Sequence, residues 1–397
     1  MMDYWQNFWT ALTLDGGYNS VVVMAGLAAL GAAAGPIGAL MILKRRPLLA
    51  DAVAHATLPG VAIGFLVGLW LTGDGRNSAF LLTGAAVTGA LAAGAMHLLK
   101  DGARISEDAA TAAALSVSFG LGVALLSLIQ ALPTGGQAGL NAFLLGQAAT
   151  LNQSEAWTLA IASSLALILL GLLFKEFALI AFDPGGAAAQ GLPVKFLDLM
   201  ITGLMLLLIA AGLRAVGLVL ILALLVTPAA AARFWTDRLP RLAALAAVIG
   251  AAGAYTGGAL STALPNAPTG AAIVLILSAI FLFSLLFAPK RGAIAAVLRR
   301  QGLRHALRRR QILVELAAGA RPADPKLARS LGWIDGDGSS TPEGEAAAQA
   351  WLRDEQLRDR YLADRPEDAG RLLAAAFTPL NDLLPRDIIA ELERREA

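Results

Sequence analysis

The chain has 397 residues, 57% of them hydrophobic, and a mean hydropathy of +0.65, which excludes an ordinary soluble domain and marks a protein that crosses a membrane several times. Cysteine is absent, so disulfides and thiolate metal sites are excluded and the redox compartment stays open. The formal net charge of +2 hides a division: Lys and Arg number 12 up to residue 288 and 19 beyond it, against 12 and 17 for Asp and Glu, so a charge-poor body precedes a charge-rich tail.

The opening MMDYWQNFWT has no basic n-region and no cleavage site and does not read as a removed signal peptide. Its Tyr4, Trp5, Phe8 and Trp9 read as an interfacial aromatic anchor. Apolar runs long enough to cross roughly 30 Å of hydrocarbon follow at 18–43, 49–71, 79–99, 109–131, 155–174, 196–212, 216–233, 242–263 and 269–288. The expected fold is therefore an all-α polytopic membrane protein of about nine transmembrane helices, a body over residues 1–288. The sixth and seventh runs are separated only by Gly212-Leu213-Arg214, the pattern of a broken helix. Basic residues follow the first, third, fifth, seventh and ninth runs, and the positive-inside rule places the N-terminus outside and the C-terminus in the cytoplasm.

Residues 132–154 between the fourth and fifth runs read as an external loop with a short surface helix, either a contact for an extracytoplasmic protein or an ordinary structured loop. The cytoplasmic connection Phe182 to Leu192, FDPGGAAAQGL, reads as a short helix across the inner face: Asp183 is the N-cap, Pro184 the first helical residue and Gly191 the stop. It is either a plain connector or a docking element for another subunit. Gly185-Gly186 should weaken it by about 1 kcal/mol each relative to Ala.

After Pro289 the composition changes. Residues 289–310 form a basic juxtamembrane linker helix suited to anionic headgroups, and 311–397 a small cytoplasmic, mainly helical domain. Helices are expected at 303–318, at 325–331, from Thr341-Pro342-Glu343 past Trp351, and from Pro385, with a short hairpin in the turn-rich span Gly332 to Ser340. His305 reads as a solvated residue of the linker.

The chemistry is concentrated in RRPLLADAVAHATLPG, Arg45 to Gly60. Asp51 and His55 are four apart, hence on one face of a helix that Pro47 begins, roughly 8 to 15 Å in from the surface marked by Lys44, Arg45 and Arg46. An ionised side chain at the bilayer centre costs about 2.5 to 3.5 kcal/mol, so such residues face a bundle interior or a watery path. A carboxylate and an imidazole on one face are a divalent-metal pair; the rival reading is a hydrogen-bonded packing contact. Pro59-Gly60 follows and is expected to kink the helix in the pore. Two ligands fall short of the four that zinc takes or the six of octahedral ions, so a second chain is expected to complete the site. Asp198 is a weaker ligand candidate, near enough to the surface to be solvated; Met200 and Met205 read as packing and His97 as an interfacial snorkelling residue.

No G-x-x-x-x-G-K-S/T phosphate loop, nucleophile elbow or H-E-x-x-H motif occurs, so the chain is not expected to be an enzyme. RRPLLADAVAHATLPGVAIGFLVG, FDPGGAAAQGLPVKFLD and LRAVGLVLILALLVTPAAAARFW, in that order over residues 18–288, closely resemble the manganese/zinc/iron ABC transporter permease family. The resemblance implies one transmembrane component of a dimeric metal importer in the cell membrane, with Asp51 and His55 matching the pore ligands. It implies that Phe182, Asp183, Pro184 and Gly191 lie in the segment that docks on a separate ATPase, that an extracytoplasmic metal-binding protein and a second permease chain, identical or homologous, take part, and that no cofactor is held permanently. Where family members carry a Glu-aromatic or similar pair after Asp-Pro, this chain has Gly185-Gly186. The cargo is expected to be manganese first, zinc next, with iron possible. The tail sequence ALRRRQILVELAAG followed by LARSLGWIDGDGSSTPEGEAAAQAWLRDEQLRDRYL resembles a shortened winged-helix segment of the iron-dependent repressor type. Its 19 basic and 17 acidic residues nearly balance, so it reads as a protein-contact or regulatory domain and no nucleic acid is expected. Two rivals stand beside the permease: a secondary metal or proton-coupled transporter needing no ATPase, and a membrane-anchored metal-responsive regulator.

Overall fold

A computed structural model of the chain describes residues 8–13, 15, 18–75, 77–102, 105–131, 153–263, 268–375 and 378–394. The chain divides into two units, residues 1–293 and 294–397.

In the first unit every apolar run becomes a helix: α1 Tyr18–Leu43, α2 Pro47–Thr72, α3 Ser78–Gly102, α4 Glu107–Gln130, α5 Gln153–Leu172, the short α6 Phe174–Phe182 and α7 Pro184–Ala189, then α8 Val194–Val216, α9 Leu218–Arg233, α10 Leu239–Ala263 and α11 Thr269–Phe287. Eight of these are long and apolar enough to cross a membrane; α9, at 16 residues, is shorter. Their ends follow local chemistry. Pro47 opens α2, whose last turn closes where the Gly73 N–H donates to the Leu69 carbonyl at 3.0 Å with Gly73 left-handed. Ser106 caps α4 by accepting from the Ala109 N–H, and Glu107 and Asp108 sit in the first turn, where the helix dipole favours them.

The α1 helix is the hub. It packs along α10, α5 and α9, with Leu27, Leu30, Ile37 and Leu40 fully buried. Its backbone meets that of α10 at Gly31 and Gly250, where a Cβ on either would overlap the other's carbonyl. Small residues allow this approach, and the gain is dispersion contact, since lipid is as apolar as leucine. Leu91, Leu98, Val117 and Leu128 on α3 and α4 instead point outward, an apolar surface unsuited to water. Of the aromatic anchor, Tyr4 and Trp5 lie outside the described residues; Phe8 and Trp9 meet edge to face at 6.0 Å. The following turn is held where the Tyr255 hydroxyl donates to the Leu12 carbonyl at 2.5 Å. The expected external loop lies outside the described residues over 132–152.

The expected break between the sixth and seventh runs exists but falls five residues later than Gly212. That glycine stays helical, against Ile221 and Leu30. The turn is made by Gly217, at φ 88 and ψ 161, a region open essentially to glycine alone. Unpaired backbone at membrane depth survives only inside protein, and the Val216, Ile221, Leu224 and Leu225 side chains around it are buried.

In the second unit the basic segment and the helix expected from 303 are one continuous helix, α12 Ala293–Ala317. α13 Pro325–Ser330 and α14 Pro342–Asp364 follow, both opened by a proline, with Asp324 and Thr341 as side-chain caps. Between them lies the expected hairpin, reduced to one antiparallel bridge between Ile334 and Ser340. At its tip the Ser339 hydroxyl and N–H donate to Asp337, holding that exposed carboxyl below the ordinary carboxylate range. α15 Ala369–Ala374, α16 Leu380–Leu383 and α17 Arg386–Arg394 complete the unit. Arg358 of α14 is its internal tie, donating to the Leu372, Ala375 and Thr378 carbonyls. A cleft of about 520 Å³ is lined by α12, α14 and the 378–381 segment. There the Arg309 guanidinium lies over Trp333 at 5.6 Å and that of Arg310 over Trp351 at 5.9 Å.

Gly217→Ala should cost about 1 to 3 kcal/mol. The thermal midpoint of the detergent-solubilised protein checks this, and an unchanged midpoint would mean that the α8–α9 turn relaxes freely.

Candidate metal centre and coupling segment

The site grows from the turn between α1 and α2. Arg45 there is the one non-glycine residue with positive φ among the described residues, at 58, and Arg46 is the N-cap of α2 without a side-chain capping bond. The helix then carries Asp51 and His55 on one face, as their spacing requires. His55 Nε2 lies 3.4 Å from Asp51 Oδ1, beyond ordinary hydrogen-bond distance but within ionic reach. The Asp51 side chain is 40% exposed and that of His55 21%, so neither is sealed in the packing of this chain. His55 Nδ1 is buried and finds no hydrogen-bond partner among the described residues. Phe119 of α4 stands edge-on to the imidazole, with ring centroids 5.2 Å apart. Nothing in the apolar run around Phe119 distinguished it in the sequence.

Pro59 lies inside α2, which continues to Thr72. Lacking an N–H, it leaves the His55 carbonyl without its donor four residues on. Pro59 packs beside Gly122 of α4, and Gly60 faces Gly84 of α3 so closely that a Cβ would strike the Gly84 carbonyl and the Thr88 hydroxyl. Among the described residues no group of three or more His, Cys, Asp or Glu side chains gathers in metal-binding range.

Asp198 is not solvated, contrary to the sequence reading. It is buried, and its carboxylate is shared between the Lys44 ammonium and the Arg46 guanidinium, the latter through Nη1 at 2.6 Å. Arg46 also pairs through Nε with Glu107 in the first turn of α4, and Glu107 pairs at 2.8 Å with Lys100 in the last turn of α3. Burial made the pairing obligatory, because an isolated charge there would cost far more than the pair. The sequence marked Lys44, Arg45 and Arg46 as a boundary signal only. Met205 is fully buried and Met200 packs at the edge of the same core, as their packing assignment required, and His97 is half-buried.

The Phe182 to Leu192 connection forms the helix its end signals specify. Asp183 Oδ1 accepts from the Gly186 N–H at 2.8 Å, Pro184 is the first helical residue, and Gly191 ends the segment at φ 81. A Cβ on Gly186 would strike the Asp183 carboxylate. The glycine that lowers helix propensity is thus also the one that admits the cap. Ala187 is buried, whereas Phe182 is 63% exposed.

An apolar helical bundle with a half-exposed Asp–His pair inside one helix and a capped helix at one end defines a polytopic membrane protein built around an intramembrane polar site. The sequence pattern of the ABC 3 transport family matches residues 19–288, and the chain belongs to that family. It is 39% identical over 298 residues to the manganese transport system membrane protein MntC of Bacillus subtilis, covering 75% of this chain and 67% of that protein. It is 40% identical over 280 residues to the zinc transport system membrane protein TroC of Treponema pallidum, covering 70% and 92%. Among solved structures it is similar to PsaBC from Streptococcus pneumoniae in complex with Fab, with a TM-score of 0.60 and 29% identity over 70% of this chain and 95% of that one.

Asp183→Ala should remove a cap of about 1 kcal/mol and speed amide exchange at Gly186 about fivefold. Hydrogen–deuterium exchange across 182–192 reads this directly, and unchanged protection would show that other contacts hold the turn.

Proposed function

We propose that this chain is the membrane permease of an ATP-driven importer of a divalent transition metal, manganese first and zinc second. The observation that carries the reading is the Asp51–His55 pair: two metal-competent side chains, 3.4 Å apart and partly open, on one face of an apolar helix. Family membership supports it, as do the named manganese and zinc systems of the relatives.

The chemistry follows from the donors. A carboxylate oxygen and an imidazole nitrogen suit manganese or zinc, and the absence of cysteine disfavours a soft-metal path. The ion enters as substrate and is held by Asp51 and His55 together with ligands from a second permease chain across a shared pore, because two donors cannot complete its shell. Binding stays weak enough for release. Pro59 and Gly60 bend the helix beside the pore and free the His55 carbonyl toward the ion's path. ATP is hydrolysed by a separate subunit that docks on the Phe182 to Gly191 segment, with exposed Phe182 as its apolar knob. An extracytoplasmic protein delivers the metal to the opposite face. In this reading the C-terminus is cytoplasmic and the tail is a contact or regulatory domain. A proton-coupled secondary transporter would use Asp51 as a proton carrier and would not need the docking segment.

The test is manganese and zinc content, by elemental mass spectrometry, of cells with wild-type, Asp51→Asn or His55→Ala permease, at matched membrane levels and with the partners present. Both variants should lose accumulation of the same metal by roughly tenfold or more. Wild-type accumulation in both would make the pair a packing contact. Uptake that survives loss of the ATPase would instead favour the secondary transporter.

A further inference from the structure

Lys44, Arg46, Lys100, Glu107 and Asp198 join five helix ends by ion pairs at the end of the bundle that carries the α7 segment. Their arrangement is specific. Asp198 lies in the second turn of α8, seven residues after Gly191, where the docking segment ends. Its partner Arg46 is the N-cap of α2, five residues before Asp51. The other arm of the same guanidinium holds Glu107, the first residue of α4, the helix that sets Phe119 against His55. Both walls of the polar site are therefore tied, through one side chain, to the helix that leaves the docking segment.

We infer that Asp198 and Arg46 form the link that couples the docking segment to the metal-bearing helix, and that both are positioning residues for transport; this rests on the function proposed above. An arginine suits the task because its planar fork serves two carboxylates at fixed angles, which a lysine does not do. The tie is almost dry: the Arg46 and Asp198 side chains are 16% and 12% exposed. In such surroundings the pair does not stretch gradually, and closed or separated are its two states. When the ATPase displaces α7 and α8, Asp198 carries Arg46, and with it the start of α2, toward the second arrangement. Lys44 holds the carboxylate from the other side and keeps the charge compensated meanwhile.

A purely structural ion pair predicts different results from a link. Asp198→Asn alone leaves Lys44 and Arg46 under-compensated, so loss of the protein would say little. Lys44→Met combined with Asp198→Leu removes one charge of each sign, keeps Arg46 with Glu107, and replaces a buried pair by apolar packing, a change that is often neutral for stability. The assay uses the complete transporter, with ATPase and metal-binding protein, in proteoliposomes, and measures metal taken up per ATP hydrolysed. The double variant should insert and remain folded, hydrolyse ATP within about twofold of wild type, and fall about tenfold or more in metal per ATP, as expected when the mechanical link but not the fold is lost. Asp198→Glu, which keeps the carboxylate, should retain most of the ratio. A wild-type ratio in the double variant overturns the inference, as does its failure to accumulate in the membrane, which makes the network a requirement of folding. If wild-type protein itself carries no metal while hydrolysing ATP, the functional proposal fails instead.

Discussion

A carboxylate among apolar helices must be compensated, exposed or neutralised, and this bundle uses the first solution for Asp198 and the second for Asp51. Asp198 is buried and shared between a lysine and an arginine. Asp51 is left partly open beside a histidine, at a distance too long for a good hydrogen bond. The contrast is one of saturation: two cations meet the Asp198 charge, whereas Asp51 keeps coordination capacity to spare. The same logic covers the buried, unpartnered Nδ1 of His55, since buried polar atoms are ordinarily satisfied and an exception calls for a cause.

The features legible in the sequence were those set by local rules. The i, i+4 spacing of Asp51 and His55 fixed their shared face, and Asp183, Pro184 and Gly191 specified a short helix that the structure reproduces at both ends. The TPEG turn likewise opened α14 with Thr341 as its cap. Features set by distant contacts were hidden. Asp198 meets Lys44 and Arg46 across 154 and 152 positions, so no window of sequence distinguished a clamped carboxylate from a solvated one. Phe119 met His55 the same way. The α8–α9 break was foreseen but misplaced, because Gly212 and Gly217 read alike until one is seen to need a left-handed backbone and the other only room for Ile221.

The two units obey different economies. In the bundle, cohesion comes from close backbone approach, as at Gly31 with Gly250, and from a few saturated charges. In the tail, mean polarity is high, and small clusters such as that of Leu357, Tyr361, Leu372, Leu380 and Leu392 are braced by side-chain bonds to backbone, above all those of Arg358.

The dryness of the Arg46 tie has a consequence for ionic strength. Mobile ions screen charges only where they can reach them, over about 10 Å at 0.1 M salt. The pair of Arg291 with Asp237, whose side chains are 45% and 62% exposed, sits within that reach and should loosen as salt rises. Arg46 with Asp198 and Glu107 is shielded by the helices it joins. The internal tie is therefore the less salt-sensitive of the two, and the exposed pair is the first to loosen as ionic strength rises.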